Sequence, residues 1–394
     1  MELFGKLVIY LIMFFAFIGA VCSIYNDDSE IGQQFLNGIY SIGPIFLPVA
    51  GIMAASHYIT TFVSSVFGTV FSLFGADPAI AATTFIAVDM GGYQLADALA
   101  QSRESWIMAM ITGFMAGATI VFSIPVALKM LEKSDRKYLA LGTMAGFLTI
   151  PIGVFTGVII CYFTNPFVRE NISTAEISSY QLHFEFMEIV FNLISLTLIC
   201  LMIAVGLFYI PQKMIKWFII FGKIMDSLLR LVFVVCVIEY FTGFFTSIFG
   251  SWGFESIIAD EEDVNRALEV SGYIGIMLCG AFPLVHVIKR YLSKPLSILG
   301  NKFGLSLDAT AGLLAGAANV LALFALIKDM KPEDKVKTIA FSVTSAFLIG
   351  DHLAFTANFQ PNMILPVMCG KLFAGLLAVY IADKFICKRL ELFE

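Results

Sequence analysis

Two short stretches of this sequence put carboxylates among apolar residues. TTFIAVDMGGYQLADAL (83–99) carries Asp89, followed by Gly91 and Gly92, and FLIGDHLAFTAN (347–358) carries Asp351 beside His352. The two are spaced alike: Phe85, Asp89 and Tyr93 lie four apart, as do Phe347, Asp351 and Phe355. On a continuous helix residues four apart share a face, so each carboxylate is expected between two aromatic rings. That arrangement suits a small organic cation, held by charge pairing and cation–π attraction. The competing reading is structural: aspartates bonded to neighbouring helices, with aromatic flanks supplied by chance in a chain of 39 phenylalanines.

Other polar residues fall in similar surroundings. His352 points about 100° away from Asp351 on a helix. Its near-neutral titration suits a proton relay, and a hydrogen-bonded packing histidine is the alternative. Lys371, in VMCGKLFAGLL, has three readings: a partner for a carboxylate, a substitute for a coupling cation, or an ammonium that snorkels to an interface. Asn319, in GAANVLAL, both donates and accepts, and is a candidate ligand for a hydroxyl or ammonium. Gly91 and Gly92 are expected to break their helix and free backbone groups to line a cavity, which lipid tolerates only where protein buries it. His57, His286 and Glu239 lie near the ends of apolar runs and are less informative. Four dispersed histidines with no H-x-x-x-H indicate no metal. Seven singly placed cysteines show no ligand spacing, and no P-loop or dinucleotide fingerprint points to a cofactor. With no G-x-S-x-G elbow, the catalytic alternative is an intramembrane enzyme using Asp351 and His352.

The elements that must hold these residues follow from composition. Of 394 residues 59% are hydrophobic and 14% charged, and the mean hydropathy is +0.88. A soluble core could not absorb so much apolar surface. Lipid can, and an ionisable group inside a span, at about 2.5–3.5 kcal/mol, is then a functional candidate. Apolar segments fall near 6–25, 39–58, 78–100, 106–129, 137–162, 184–210, 218–249, 268–290, 307–328, 337–357 and 361–385. The first reads as a retained helix, since it has no A-x-A cleavage site. The stretch 58–75 either lies along the interface or extends the second segment. A net charge of −6 argues against nucleic acid. Basic loops at 131–137, 213–223 and 289–302 alternate with acidic ones at 24–30, 169–176 and 259–269. By the positive-inside rule the basic set is cytoplasmic, and this segment count puts the N-terminus inside as well.

A faint repeat also appears. At an offset of 199, residues 113–135 lie over 312–334, with identities that include Gly113/Gly312, Gly117/Gly316 and Lys129/Lys328. Five spans apart, the copies would have opposite orientations. The expected fold is an all-α polytopic membrane protein of about 11 transmembrane or re-entrant helices. It would form one transporter domain over 1–394, with inverted-repeat halves near 39–162 and 268–385 and broken helices near mid-membrane. Chance similarity between small-residue helices is the alternative.

Four stretches carry a family resemblance: AVDMGGYQLADALA (87–100), TIVFSIPVAL (119–128), SDRKYLALGTMAGFLTIPIG (134–153) and LIGDHLAFTANFQPNMILPVMCGKL (348–372). Together they resemble the ethanolamine utilisation permease EutH family over nearly the whole chain. The family's Asp-Met-Gly-Gly falls on Asp89, Met90, Gly91 and Gly92, its Gly-Asp-His-Leu on Gly350, Asp351, His352 and Leu353, and its Gly-Lys-Leu on Gly370, Lys371 and Leu372. Where some relatives carry Asn-Asn-x-Pro, this chain has Asn319-Val320-Leu321-Ala322, which weakens a second amide ligand or a proline break there. The resemblance implies a multi-pass permease of the bacterial inner membrane that imports ethanolamine, with membrane lipid around it. Ethanolamine is mostly protonated at neutral pH, by analogy with lysine, which fits Asp89, Asp351, Tyr93, Phe355, Asn319, Gly91 and Gly92 as a binding set. His352 and Lys371 are left for proton relay or coupling. A channel-like facilitator, a choline carrier and a membrane sensor are the other readings, and a homo-oligomer is left open.

Overall fold

A helix satisfies its own N–H and carbonyl groups, so apolar runs of this length fold as helices in lipid. The computed structural model describes residues 1–174, 176–261, 263–302, 305–388 and 390. Helix α1 (Glu2–Tyr25) is followed by α2 (Glu30–Tyr40) and α3 (Ile42–Ala54), which make one apolar run, and by α4 (Ser56–Leu73). Helices α5 (Pro78–Phe85) and α6 (Gly92–Leu99) are only eight residues each and fold back on one another about a 3₁₀ turn at Val88–Met90. The next rod runs from α7 (Arg103–Thr112) through two π-helical stretches, Gly113–Gly117 and Thr119–Ser123, into α8 (Ile124–Met130). Helices α9 (Arg136–Phe147) and α10 (Ile150–Thr164) form another, ahead of a short hairpin of β1 (Phe167–Val168) and β2 (Tyr180–Gln181).

Helices α11 (Phe186–Tyr209), α12 (Pro211–Thr242), the short α13 (Phe244–Phe249) and α14 (Ala267–Lys302) come next. A second folded-back pair, α15 (Leu307–Ala318) and α16 (Val320–Ile327), turns about Asn319. The last rods are α17 (Pro332–Ser345) with α18 (Asp351–Phe359), broken at 346–350, and α19 (Ile364–Ile381). Among the described residues, seven helical runs are long and apolar enough to cross a membrane. This is an all-α polytopic membrane protein, as the composition demands.

Polar contacts sort the rod ends into two faces. Lys335 Nζ donates to Asp135 at 2.6 Å and Lys337 pairs with Asp383 at 2.7 Å, gathering the basic loops on one face. On the other, the Arg169 guanidinium donates to the Asn358 and Phe359 carbonyls, and Asn362 Nδ2 donates to the Phe167 carbonyl. The first short pair opens on this second face: Asp77 accepts from Ala79 N and Gln101 N, both at 2.8 Å, and so staples its two ends together. It enters and leaves the bilayer on one side. So α4 lies along that face, since Ala54 and Asp77 flank it there and the Ala54 carbonyl accepts from Glu255 N. The second short pair opens on the basic face, beside Lys331 and Pro332.

This corrects the sequence-based orientation. Counting 78–100 as a crossing put the start of α1 on the basic side. Because that pair is re-entrant, parity flips, and the start of α1 lies on the opposite face, where Gly5 packs on the Pro361 carbonyl. The acidic loop before Glu30 comes to the basic face, where Glu30 meets His286 at 3.4 Å. Among the described residues, Lys6, Arg103, Arg169 and Arg266 are the cations left on the other face, so charge bias still assigns the basic face to the cytoplasm. In a background lacking the native cysteines, Ser173→Cys is therefore expected to react with a membrane-impermeant maleimide in intact cells, and Ser29→Cys only after permeabilisation. The reverse pattern contradicts this topology.

Candidate functional site

Both aspartates stand at backbone breaks, and the breaks have local causes. Helix α5 stops at Phe85, where Ile86 turns extended (φ −123°), and Gly91 takes a left-handed φ of 97° that most side chains avoid. Asp89 thus lies in the 3₁₀ turn just ahead of α6. In the other break Phe347 has φ 58°, and Asp351 is the first residue of α18. The expected stacking of Phe85, Asp89 and Tyr93 on one helical face does not occur, nor does that of Phe347, Asp351 and Phe355. Each set straddles a break, and Phe85 instead meets Phe221 at 6.4 Å between ring centres. Each carboxylate sits where a half-helix begins, at the positive end of its dipole.

The breaks are satisfied by one another. Phe347 N donates to the Gly316 carbonyl at 3.1 Å and Ile349 N to the Ala317 carbonyl at 2.9 Å, so the unwound segment pairs with the end of α15. A Cβ on Gly350 would stand 2.2 Å from the Ala318 carbonyl oxygen, and one on Gly117 would stand 2.3 Å from that of Ile86. The first short pair thus rests on the π-helical stretch of the next rod, as the second rests on 346–350. Asn319 breaks its helix without proline: it takes an extended conformation and its Oδ1 caps α16 by accepting from Leu321 N at 2.8 Å.

What the sequence flagged separately comes together here. His352, 1% exposed, lies 3.9 Å from Asp89 across the two breaks, too long for a hydrogen bond, and packs on Phe114 (4.6 Å) and Phe347 (5.3 Å). Both its ring nitrogens and Asp351 Oδ1 lack hydrogen-bond partners. Lys371 is fully buried and donates to the Phe114 carbonyl at 2.7 Å, with its ammonium 6.0 Å from that ring's centre. It does not snorkel. Tyr93 stacks on Trp106 (4.7 Å), meets Phe355 edge-on (5.4 Å), and its hydroxyl accepts from Gln360 Nε2 at 2.9 Å.

Residues the sequence reading missed complete the picture. Phe114, Trp106 and Phe359 join Tyr93 and Phe355 in an aromatic plug toward the outer face, beneath Gln360 and the Arg169 guanidinium. Nothing in the sequence marks Phe114, since the π-helical turn that aims its carbonyl at Lys371 depends on tertiary packing. On the other side a cavity of about 730 Å³ runs between α3, α12 and the rod ending in α8, from Met90 and Ile86 past Phe122 to Lys129, Asp226 and Arg230. It joins the neighbourhood of Asp89 to the basic face. The site therefore offers carboxylates, carbonyls at half-helix ends and aromatic faces to a small cation. Gly350→Ala is expected to lower the melting temperature by several degrees, about 1–3 kcal/mol for forced overpacking. Gly43→Ala, with open space around it, is expected to leave it unchanged or higher. Equal melting temperatures for the two variants refute the tight packing of the second break.

The family described as "Ethanolamine utilisation protein, EutH" matches residues 4–385. A protein of Listeria monocytogenes named "Probable ethanolamine permease EutH" is 35% identical over 389 residues, covering 98% of this chain and 96% of its own length. Proteins of the same name from Escherichia coli and Salmonella typhimurium are each 34% identical over 408 residues, with the same coverage. No solved structure matches the chain.

Proposed function

The chain belongs to the ethanolamine utilisation EutH family, and on that premise we propose that it carries ethanolamine into the cell as the ethanolammonium cation. Support comes from the family's named permeases and the apolar crossing helices, which make this a multi-pass bacterial membrane protein. The permease names also set aside an intramembrane enzyme built on Asp351 and His352. The observation that carries the cation reading is the meeting of the two helix breaks, where His352, next to Asp351, stands 3.9 Å from Asp89 beside the packed rings of Phe114, Tyr93 and Phe355.

The ammonium binds between Asp89 and Asp351, with Gly91 and Gly92 setting the shape of the first break by letting Ile52 and the Ala87 carbonyl pack against it. Tyr93 and Phe355 wall the pocket outward, and the side-chain Nδ2 of Asn319, whose Oδ1 caps α16, donates to the substrate hydroxyl. Lys371 already stands on a carbonyl and an aromatic face, as a bound amine would. Its charge balances the carboxylates when the pocket is empty, so that an unloaded carrier can reorient. His352 is the route by which a proton reaches Asp89. Alternating access follows from inverted halves near 39–162 and 268–385. At a spacing of 229 the sequence pairs Gly43 with Gly272, Gly51 with Gly280, His57 with His286 and the caps Asp77 with Ser306, and the order of short pair, broken rod and long rod recurs. The 199 offset sets a crossing rod over a re-entrant pair, and so matches unlike elements. An aromatic plug toward the outside and an open cavity toward the cytoplasm describe the inward-facing state.

An inside-negative potential favours uptake of a monovalent cation by about 2.3 kcal/mol per 100 mV, so no coupling ion is needed. In proteoliposomes with such a potential, labelled ethanolamine is expected to accumulate about 50-fold at 100 mV, saturably, with little competition from choline. Full block by choline makes this a carrier of a different amine. Uptake that fails to saturate makes it a facilitator. No uptake by folded protein overturns transport.

A further inference from the structure

The SDRK motif at Ser134–Lys137 has no part in the amine site, yet it lines the larger of two described cavities. That cavity, about 880 Å³ at the basic face, is bordered by Lys133, Arg136, Lys137, Tyr138, Gln212 and Lys335 and shares no lining residue with the path to Met90. Three helices begin on it: α9 at Arg136, α12 at Pro211 and α17 at Pro332. None has a side-chain cap. Pro211 and Pro332 bring no N–H of their own and the Arg136 N–H is taken by the Lys133 carbonyl, so these starts contribute mainly their dipoles, which favour an anion. Charge points the same way. Asp135 is engaged by Lys335 at 2.6 Å, and Lys137 and Lys335 both lie over the Tyr138 ring, at 5.1 and 5.7 Å. Arg136 Nε is buried with no hydrogen-bond partner. Loop lysines alone would report only orientation. A concave site lined by Lys133, Arg136 and Lys137, with one guanidinium N–H buried and unpaired, asks for an anionic ligand.

We propose that this cavity binds a phosphate group on the cytoplasmic face, with Arg136 and Lys133 as its main side-chain donors. Two sources share that chemistry, an anionic phospholipid headgroup and a free phosphate or phosphate monoester. The site ties α9 to α17, the first half of the broken rod that carries Asp351 on its second half, so occupancy would bear on the transport cycle. The inference does not depend on which amine is carried.

The test uses the full chain in nanodiscs of phosphatidylcholine. Inorganic phosphate and glycerol 3-phosphate are titrated against chloride at constant ionic strength, with thermal stability as the readout. In parallel, native mass spectrometry compares retention of phosphatidylglycerol with that of phosphatidylcholine. Saturable stabilisation by the soluble anions is expected if the source is a free phosphate, and selective retention of phosphatidylglycerol without it if the source is lipid. In either case Arg136→Gln or Lys133→Gln is expected to weaken binding about tenfold, as for loss of one charge-assisted hydrogen bond. Lys133 is exposed, so its variant serves should Arg136→Gln not fold. Absence of binding in both arms, or binding unchanged in the variants that fold, overturns the proposal.

Discussion

In the hydrocarbon of a bilayer an unpaired backbone N–H or carbonyl costs several kcal/mol, and everything specific about this protein sits where helices stop. Among the described residues, the interruptions that build the site lie at 86–91, 113–123, 319 and 346–350. They are stable because they occur in pairs. The first short pair rests on the π-helical stretch at Gly113 and Gly117, and the second lends its carbonyls to Phe347 and Ile349. The two pairs in turn meet each other, and there Asp89 and His352 lie 3.9 Å apart. The backbone constraint and the chemistry of the site are thus one arrangement seen at two scales.

Packing around the breaks follows from the same need. Gly142 and Gly146 let α9 approach Ile339 and Val343 of α17, and Gly153, Gly157 and Gly370 let α10 approach α19. Lipid gives helices no hydrophobic reason to associate, so close contact through small residues supplies the attraction. Cross-links at the rod ends add register: Lys335 to Asp135 on the basic face, and Arg169 to the last carbonyls of α18 on the other. The outer end is tied by Arg169 and Gln360, while a cavity runs from Met90 to Lys129 on the other side.

Much of this was legible in the sequence, and the misses have physical causes. Hydropathy revealed the membrane class, because 20-residue apolar runs admit no other solvent. Asp89, Asp351, His352 and Lys371 stood out because charge is costly in lipid, and they do converge. Hydropathy cannot tell a crossing helix from a re-entrant pair, since α5 and α6 together are as apolar as one span. That single ambiguity reversed the side assigned to the start of α1. Helical periodicity likewise misplaced Phe85 and Phe347, because it assumes continuity across residues that Gly91 and the left-handed Phe347 interrupt. Phe114, Gln360 and Arg169 were unreadable, as each acts through partners distant in sequence.

The measurement closest to the centre of this reading is the transient current evoked by ethanolamine on a solid-supported membrane carrying the protein, wild type beside Asp89→Asn and Asp351→Asn. An electrogenic current is expected from the wild type. In both variants it should be lost, or its half-saturating concentration raised about tenfold or more, as for removal of one partner of a charge-assisted contact. A variant that matches the wild type in size and concentration dependence would contradict the shared carboxylate site.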